Sequence, residues 1–404
     1  MATTMSRLGF VDAMKMLGIG LIVYGHIANF TIMHLVAPVR PKQLGVAFFV
    51  LTLGYCLAKD GRRPHRVLFN RLFEIYLIGI AFALLISAIM FSAAGTLQLS
   101  NYLPFVLGVN VIFDNFPANP TTWYIGTYLH LLILWALLLR HITIRVWMLP
   151  LCLLLEILLR AWLMQSAGLF IAYMFLGNWM TVLMLGMYLG QRSSNTGSFT
   201  STSADSREDT ARQRAWLGPR GAAFAAIAVM GIWLVCWPML TSGIDRSRGF
   251  PFMIVPIEAP ALAALTISAA VSGIYLTWAW LVYVATRHVP SLGMTRFFAR
   301  HTLFIFIAHM PVLYLLTPLA EAHVASQPVR IMVLFIICMP GLALVSEILT
   351  RAINIKHLRD RTWTVLSRGT SPVQEIPDPA VSPAGPATPG SLATLPTEGA
   401  GQEE

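Results

Sequence analysis

Long apolar runs separated by short polar stretches dominate the chain, and most reach the ~17–25 residues a helix needs to cross a hydrocarbon core. Read this way, there are about ten spans, at roughly 10–34, 44–59, 72–92, 123–140, 147–165, 169–190, 221–240, 261–286, 302–320 and 330–350. The second is short. No stretch shows the two-residue alternation of a membrane barrel, so the expected fold class is all-α, a polytopic transmembrane helix bundle. The start, MATTMSRLGFVDAMK, lacks the basic region, clean apolar core and small-residue cleavage site of a signal peptide, which predicts a retained first span.

The polar stretches give the orientation. Alternate loops hold most of the basic residues: Arg7; Lys59, Arg62, Arg63, Arg66 and Arg71; Arg140 and Arg145; Arg192, Arg207, Arg212, Arg214 and Arg220; Arg287, Arg296 and Arg300; and Arg351, Lys356, Arg359, Arg361 and Arg368. The other loops hold little beyond Arg40, Lys42, Arg246, Arg248 and Arg330. By the positive-inside rule both termini are expected on the cytoplasmic side. The Ser/Thr-rich segment 191–218 reads as a disordered cytoplasmic loop inside a transmembrane domain 1–368, and 369–404 as a disordered Pro/Ala/Gly-rich tail.

Composition agrees with the pattern. With 404 residues, 56% hydrophobic and 11% charged, and a mean hydropathy of +0.68, the chain has too few polar residues to cover a water-soluble globule of its size. The net charge of +10 is spread over short loops and the tail, so it is an orientation signal and no nucleic-acid stripe. Cys56, Cys152, Cys236 and Cys338 all fall inside predicted spans without metal-ligand or disulfide spacing, and are expected to pack; no metal is expected.

Against this background the first span stands out, because DAMKMLGIGLIVYGH (12–26) carries Asp12, Lys15 and His26 where charge is costly. Asp12 and Lys15, three residues apart, share a helix face and can pair. Lys15 and His26, eleven apart, lie close to three turns from one another, on nearly one face and about 16 Å apart along the axis. One reading is that Lys15 snorkels to the interface and His26 bonds a neighbouring helix. The other is an anionic cosubstrate laid along the stripe, its phosphates at the cation and its reactive end at the imidazole. On the fifth span, Glu156 and Arg160 have the spacing of an intrahelical ion pair.

VDAMKMLGIGLIVYGH (11–26) resembles the first span of acyltransferase family 3, whose signature is an Arg or Lys, ten intervening residues and a catalytic His; Asp12 stands where the family commonly has its acid. Three further stretches resemble family motifs in the same order: VAFFVLTLGYCLAK (46–59), TTWYIGTYL (121–129) and RHTLFIFIAHMPVL (300–313). The resemblance covers roughly 8–350. Departures are Thr52-Leu53 before Gly54 in place of a Ser-Gly step, Phe306 in place of a late Tyr, and Arg71 followed by Glu74 where the family has an R-x-x-R pair, with Arg63-x-x-Arg66 just upstream.

The resemblance implies transfer of an acyl group, usually acetyl, from cytoplasmic acyl-CoA to a carbohydrate hydroxyl in a bacterial inner membrane. His26 would be the general base or a transient acyl carrier, with Asp12, Lys15 and Arg71 beside it, and Lys15, Arg63, Arg66 and Arg71 on the CoA phosphates. Trp123, Tyr124, His309, Asn29 and Glu74 are the candidates for the acceptor, and Arg71, Tyr124, Trp123, Asn29 or Tyr24 for the oxyanion; the polar loop 108–120, with Asp114 and Asn115, can be read as an acceptor lid. Acyl-CoA enters as cosubstrate, and no permanently bound cofactor is implied. Glu74 is expected to pair with Arg71 or Lys15. Plainer roles exist: positive-inside bias for Arg63 and Arg66, an interfacial aromatic belt for Trp123 and Tyr124, a core hydrogen bond for His309, an ordinary surface loop for Asp114 and Asn115. Two rival classes are a proton-coupled transporter or polysaccharide exporter, and a non-enzymatic scaffold.

Overall fold

The computed structural model describes residues 8–27, 41–81, 84, 88, 108–109, 123–195, 260–287 and 289–368. Among these, every regular element is a helix. In chain order they are α1 (Gly9–Ile27), α2 (Pro41–Ala58), α3 (Pro64–Glu74) with a π-helical extension Ile75–Ile80, α4 (Trp123–Leu137), α5 (Met148–Ser166), α6 (Leu169–Met174), α7 (Met180–Asn195), α8 (Ala261–Thr286), α9 (Gly293–His323), α10 (Gln327–Ile336), α11 (Leu342–Ala352) and α12 (Ile355–Arg368). Three-residue-turn segments Leu139–His141 and Leu176–Trp179 and a second π-helical segment, Ile337–Gly341, complete the list. The chain divides into a helical bundle through Arg359 and a C-terminal unit from Asp360.

Six helical stretches are long and apolar enough to cross a membrane: Gly9–Ile27, Trp123–His141, Met148–Ser166, Ala261–Thr286, Gly293–His323 and Gln327–Ala352. Gln43–Ala58 is apolar but shorter. The sixth expected span is broken, since α6 and α7 flank the Leu176–Trp179 turn, and the seventh lies outside the described residues. The count of ten and the side on which the termini lie therefore rest on the sequence alone.

The helix faces have the polarity expected in lipid. On α5, Leu155 is 57% and Trp162 62% exposed, whereas Glu156 and Arg160 are each 3% exposed. Apolar side chains point outward and charges inward, the reverse of a water-soluble bundle. Without a strong hydrophobic drive between helices, close contact must come from small residues. The α2–α7 seam shows it: a Cβ on Gly54 would lie 2.2 Å from the Leu183 carbonyl oxygen, and one on Gly186 would lie 2.2 Å from that of Leu51. α1 packs on α2 and α9, α5 on α8, and α9 on α11, which brings the first and ninth helices into one wall.

Several boundaries differ from the sequence expectation for identifiable reasons. The helix carrying the third span begins at Pro64, with proline at its first turn, where the missing N–H costs nothing. α9 begins at Gly293 rather than near 302, and its 31 residues extend about 46 Å, longer than a hydrocarbon core of about 30 Å. Arg296 and Arg300 are thus helical residues beyond the apolar section. α7 runs on through Asn195, into the segment expected to be a disordered loop from 191. Gln191 bonds the backbone of Ile142 and Ile144, Ser193 bonds the Tyr55 hydroxyl at 2.8 Å, and Arg192 lies over the Tyr188 ring. Those contacts hold the first residues of the stretch in the bundle; the rest of it and the 369–404 tail fall outside the described residues.

Candidate active site

A cavity of about 190 Å³ opens between α1, α2, α3, α4 and α9. α1 contributes Lys15; α2 contributes Phe49, Thr52, Leu53 and Cys56; α3 and its extension contribute Arg71, Glu74 and Ile75; α4 contributes Tyr124, Ile125 and Tyr128; α9 contributes Thr302, Leu303 and Phe306. Two cations and one carboxylate thus face a wall otherwise made of aromatic, aliphatic and small polar groups. Arg71 donates from Nη1 to the Tyr128 hydroxyl at 3.2 Å, which fixes the guanidinium against α4. The Thr52 hydroxyl donates back to the carbonyls of Phe48 and Phe49, so its methyl and oxygen fill the wall without an unsatisfied donor.

An aromatic path leads from this cavity to the histidines. The Tyr124 and Phe306 rings are 5.7 Å apart in an edge-on contact, Phe306 and His309 are 6.2 Å apart, and His309 and His26 are 5.1 Å apart between centroids. His309 is fully buried, and its Nδ1 lies 3.0 Å from the Ile305 carbonyl oxygen. A carbonyl can only accept, so Nδ1 carries the proton donated there, and in a neutral ring the lone pair would fall on Nε2. His26 and His309 form an imidazole pair, set about 16 Å along α1 from Lys15.

The expected site residues therefore separate. Lys15, Arg71, Glu74 and Tyr124 share the cavity, and His26 and His309 share the end of the aromatic path. Asp12 is buried below the stripe, where its Oδ2 accepts from the Ser291 hydroxyl at 3.0 Å. Trp123 is buried, packed at 4.8 Å on Tyr173 and stacked at 6.4 Å on Trp179, so it belongs to an internal aromatic cluster and no interfacial belt. Arg63, the residue capping α3, is exposed, and neither it nor Arg66 is on the cavity wall. Asn29, Asp114 and Asn115 lie outside the described residues. Glu74 does not take the expected partner: its Oε1 accepts from Arg359 Nη1 at 2.8 Å, while Arg71 bonds Tyr128.

Sequence reasoning missed Tyr128, Cys56, Thr302 and Arg359. For Tyr128 a signal existed, because it follows Tyr124 by four residues and so shares its helix face. Beside the cavity, Asp60 bonds Arg62 at 2.7 and 2.6 Å in the α2–α3 connection. Partial burial works to raise the Asp60 carboxyl, but the hydrogen bonds and charge of Arg62, with Arg71 further off, outweigh it and hold that carboxyl below its usual range.

Four separate stretches of sequence, around 12–26, 46–59, 123–129 and 300–313, converge on this one cavity and its histidine end. A family model for an acyltransferase domain matches residues 8–347. The chain belongs to acyltransferase family 3. Neither the curated proteins nor the solved structures give a match. Acyltransferase family 3 membership together with the apolar helices makes this a multi-pass membrane acyltransferase.

The family assignment also gives the departures a physical reading. Gly54, which survives where the Ser-Gly step does not, is the residue whose Cβ the Leu183 carbonyl excludes. Phe306, standing for the late Tyr of acyltransferase family 3, keeps the aromatic contact with Tyr124 and lacks only the hydroxyl.

Proposed function

We propose that the enzyme moves an acyl group, most simply acetyl, from cytoplasmic acyl-CoA to a hydroxyl of a cell-surface or exported polysaccharide in a bacterial inner membrane. The observation that carries this reading is the relation between the two cations and the two histidines. Lys15 and Arg71 offer fixed positive charge to the phosphates of CoA, and the pantetheine arm separates those phosphates from the thioester just as the helix separates Lys15 from His26. The aromatic and aliphatic wall between them suits an apolar arm.

At the histidine end two routes balance. His26, as neutral imidazole, takes the acceptor proton while the hydroxyl oxygen attacks the thioester carbonyl; the tetrahedral oxyanion collapses, the C–S bond breaks, and the CoA thiolate leaves to be protonated. Alternatively the imidazole nitrogen attacks first, CoA leaves, and the acyl-imidazole is transferred to the hydroxyl in a second step. Either needs a donor for the oxyanion, for which the Tyr124 hydroxyl, on the aromatic path toward the histidines, is the candidate. His309, through its ring contact, would hold His26 in place.

The test is transfer of labelled acetyl from acetyl-CoA by purified protein to a panel of polysaccharides. Acceptor-dependent transfer that drops by roughly 10²–10⁴-fold in His26→Ala supports the proposal. Turnover unaffected by that substitution removes His26 from the chemistry, and no donor binding across a broad panel favours transport.

A further inference from the structure

Among the described residues Glu74 is the only carboxylate on the cavity wall, and it shares that wall with the two cations that the proposed function assigns to a polyanionic donor. It follows Arg71 by three residues on one helix, so the two groups share a face. Left alone, it would offset one of the positive charges and repel phosphate. Its ion-pair partner comes from 285 residues further along, where Arg359 on α12 donates to it at 2.8 Å. The arginine is 17% exposed and the carboxylate 49%, at the open edge of the cavity. A pair so exposed adds little to folding stability, so its consequence lies in the local field.

We propose that Arg359 is a specificity-determining residue: by neutralising Glu74 it keeps the field beside Arg71 positive at the cavity, which selects a donor bearing several phosphates. This rests on the acyl-CoA reading for the identity of the ligand, though not for the charge itself. Arg359 touches no reacting atom. It acts through Glu74.

Cys56 lines the same cavity and can report its potential without any donor. In a protein with Cys152, Cys236 and Cys338 replaced, the Cys56 thiol is labelled by a sulfonate-bearing and by an ammonium-bearing methanethiosulfonate, and the ratio of the two rates is read. Arg359→Ala is expected to lower the anionic-to-cationic ratio by roughly three- to tenfold, Arg359→Lys to hold it, and Arg359→Ala with Glu74→Gln to restore it. Glu74→Gln alone, with Arg359 left in place, should raise the ratio, which supplies a second reading should the arginine variant fold poorly. A ratio unmoved by Arg359→Ala, unrestored by the double substitution, or lowered by Glu74→Gln overturns the proposal.

The same proteins are titrated with acetyl-CoA and with S-acetylpantetheine, which has no phosphate. Weaker binding of acetyl-CoA in Arg359→Ala, with S-acetylpantetheine unchanged, supports the proposal, and equal weakening of both overturns it in favour of a structural role. If the labelling ratio shifts as expected and no variant, nor the unaltered protein, binds acetyl-CoA, the charge-setting role of Arg359 stands and the donor reading fails.

Discussion

Arg160 and Arg71, two cations of the helical bundle, are held in opposite ways. Arg160 is closed off: it donates to Glu156 at 2.9 Å, to the side chain and carbonyl of Asn178 at 2.8 and 3.0 Å, to the Ser268 carbonyl at 3.0 Å and to the Ser272 hydroxyl. Glu156 in turn accepts from Ser272 at 2.7 Å and from the Thr181 backbone at 3.0 Å. Every strong acceptor and donor of the pair meets protein, and α5, α7 and α8 are tied together by it. Arg71, by contrast, borders an open cavity and donates to the Tyr128 hydroxyl on its wall. Charge that the fold fully satisfies organises helices; charge facing a cavity is available to a ligand.

The contrast can be broken most severely at Arg160. Arg160→Ala leaves Glu156 as an uncompensated buried carboxylate and should cost about 3–5 kcal/mol, seen as a lost or strongly lowered thermal unfolding transition of the detergent-solubilised protein. A variant as stable as the parent would mean that the network is dispensable. Arg71→Ala should instead keep the unfolding transition and weaken acetyl-CoA binding by about 1.5–3 kcal/mol, roughly 10- to 150-fold in Kd. Should Arg71→Ala unfold the protein while leaving binding by the folded fraction intact, the two regions would have been assigned the wrong way round.

Smaller effects sharpen the same picture. Tyr128→Phe removes the hydroxyl that orients Arg71 and keeps the ring, so about 1 kcal/mol of donor affinity should go, roughly fivefold in Kd, with no change in the unfolding temperature. Asp60→Asn should lower stability by less than about 1 kcal/mol. Because the Asp60 carboxyl is held below its ordinary value of 3.8, its contribution is complete above that pH and fades as pH falls through the lowered value. Unfolding followed across that range should therefore show the parent and Asp60→Asn converging only at the acid end; a constant difference down to the lowest pH would contradict the assignment.

Much of this was legible in the sequence. The apolar runs marked the helices because lipid demands uninterrupted backbone pairing, and the Glu156–Arg160 spacing alone implied an ion pair. Lys15, Arg71 and Tyr124 were found by motif and order, and they do meet at one cavity. What could not be read was whatever depends on distant chain segments. Glu74 looked like a partner for its helix neighbour Arg71, yet pairs with Arg359, a contact that no local spacing encodes. Cys56 looked like a packing residue, since lining a cavity leaves no mark on hydrophobic periodicity. Trp123 had the sequence context of an interfacial aromatic but is enclosed by Tyr173 and Trp179, whose turn between α6 and α7 replaces the unbroken span expected there. The early start of α9 was hidden because Arg296 and Arg300 read as loop charges, whereas a long helix can carry them past the membrane surface.

The central claim is that one end of the site holds the donor and the other performs the chemistry. Its most direct measurement is equilibrium binding of acetyl-CoA alongside acetyl transfer, made on the same preparations of the parent protein, Arg71→Ala and His26→Ala. The expected result is a split: Arg71→Ala loses binding, and His26→Ala binds acetyl-CoA with a Kd near that of the parent while transferring nothing measurable. Loss of donor binding in His26→Ala with binding retained in Arg71→Ala would contradict it.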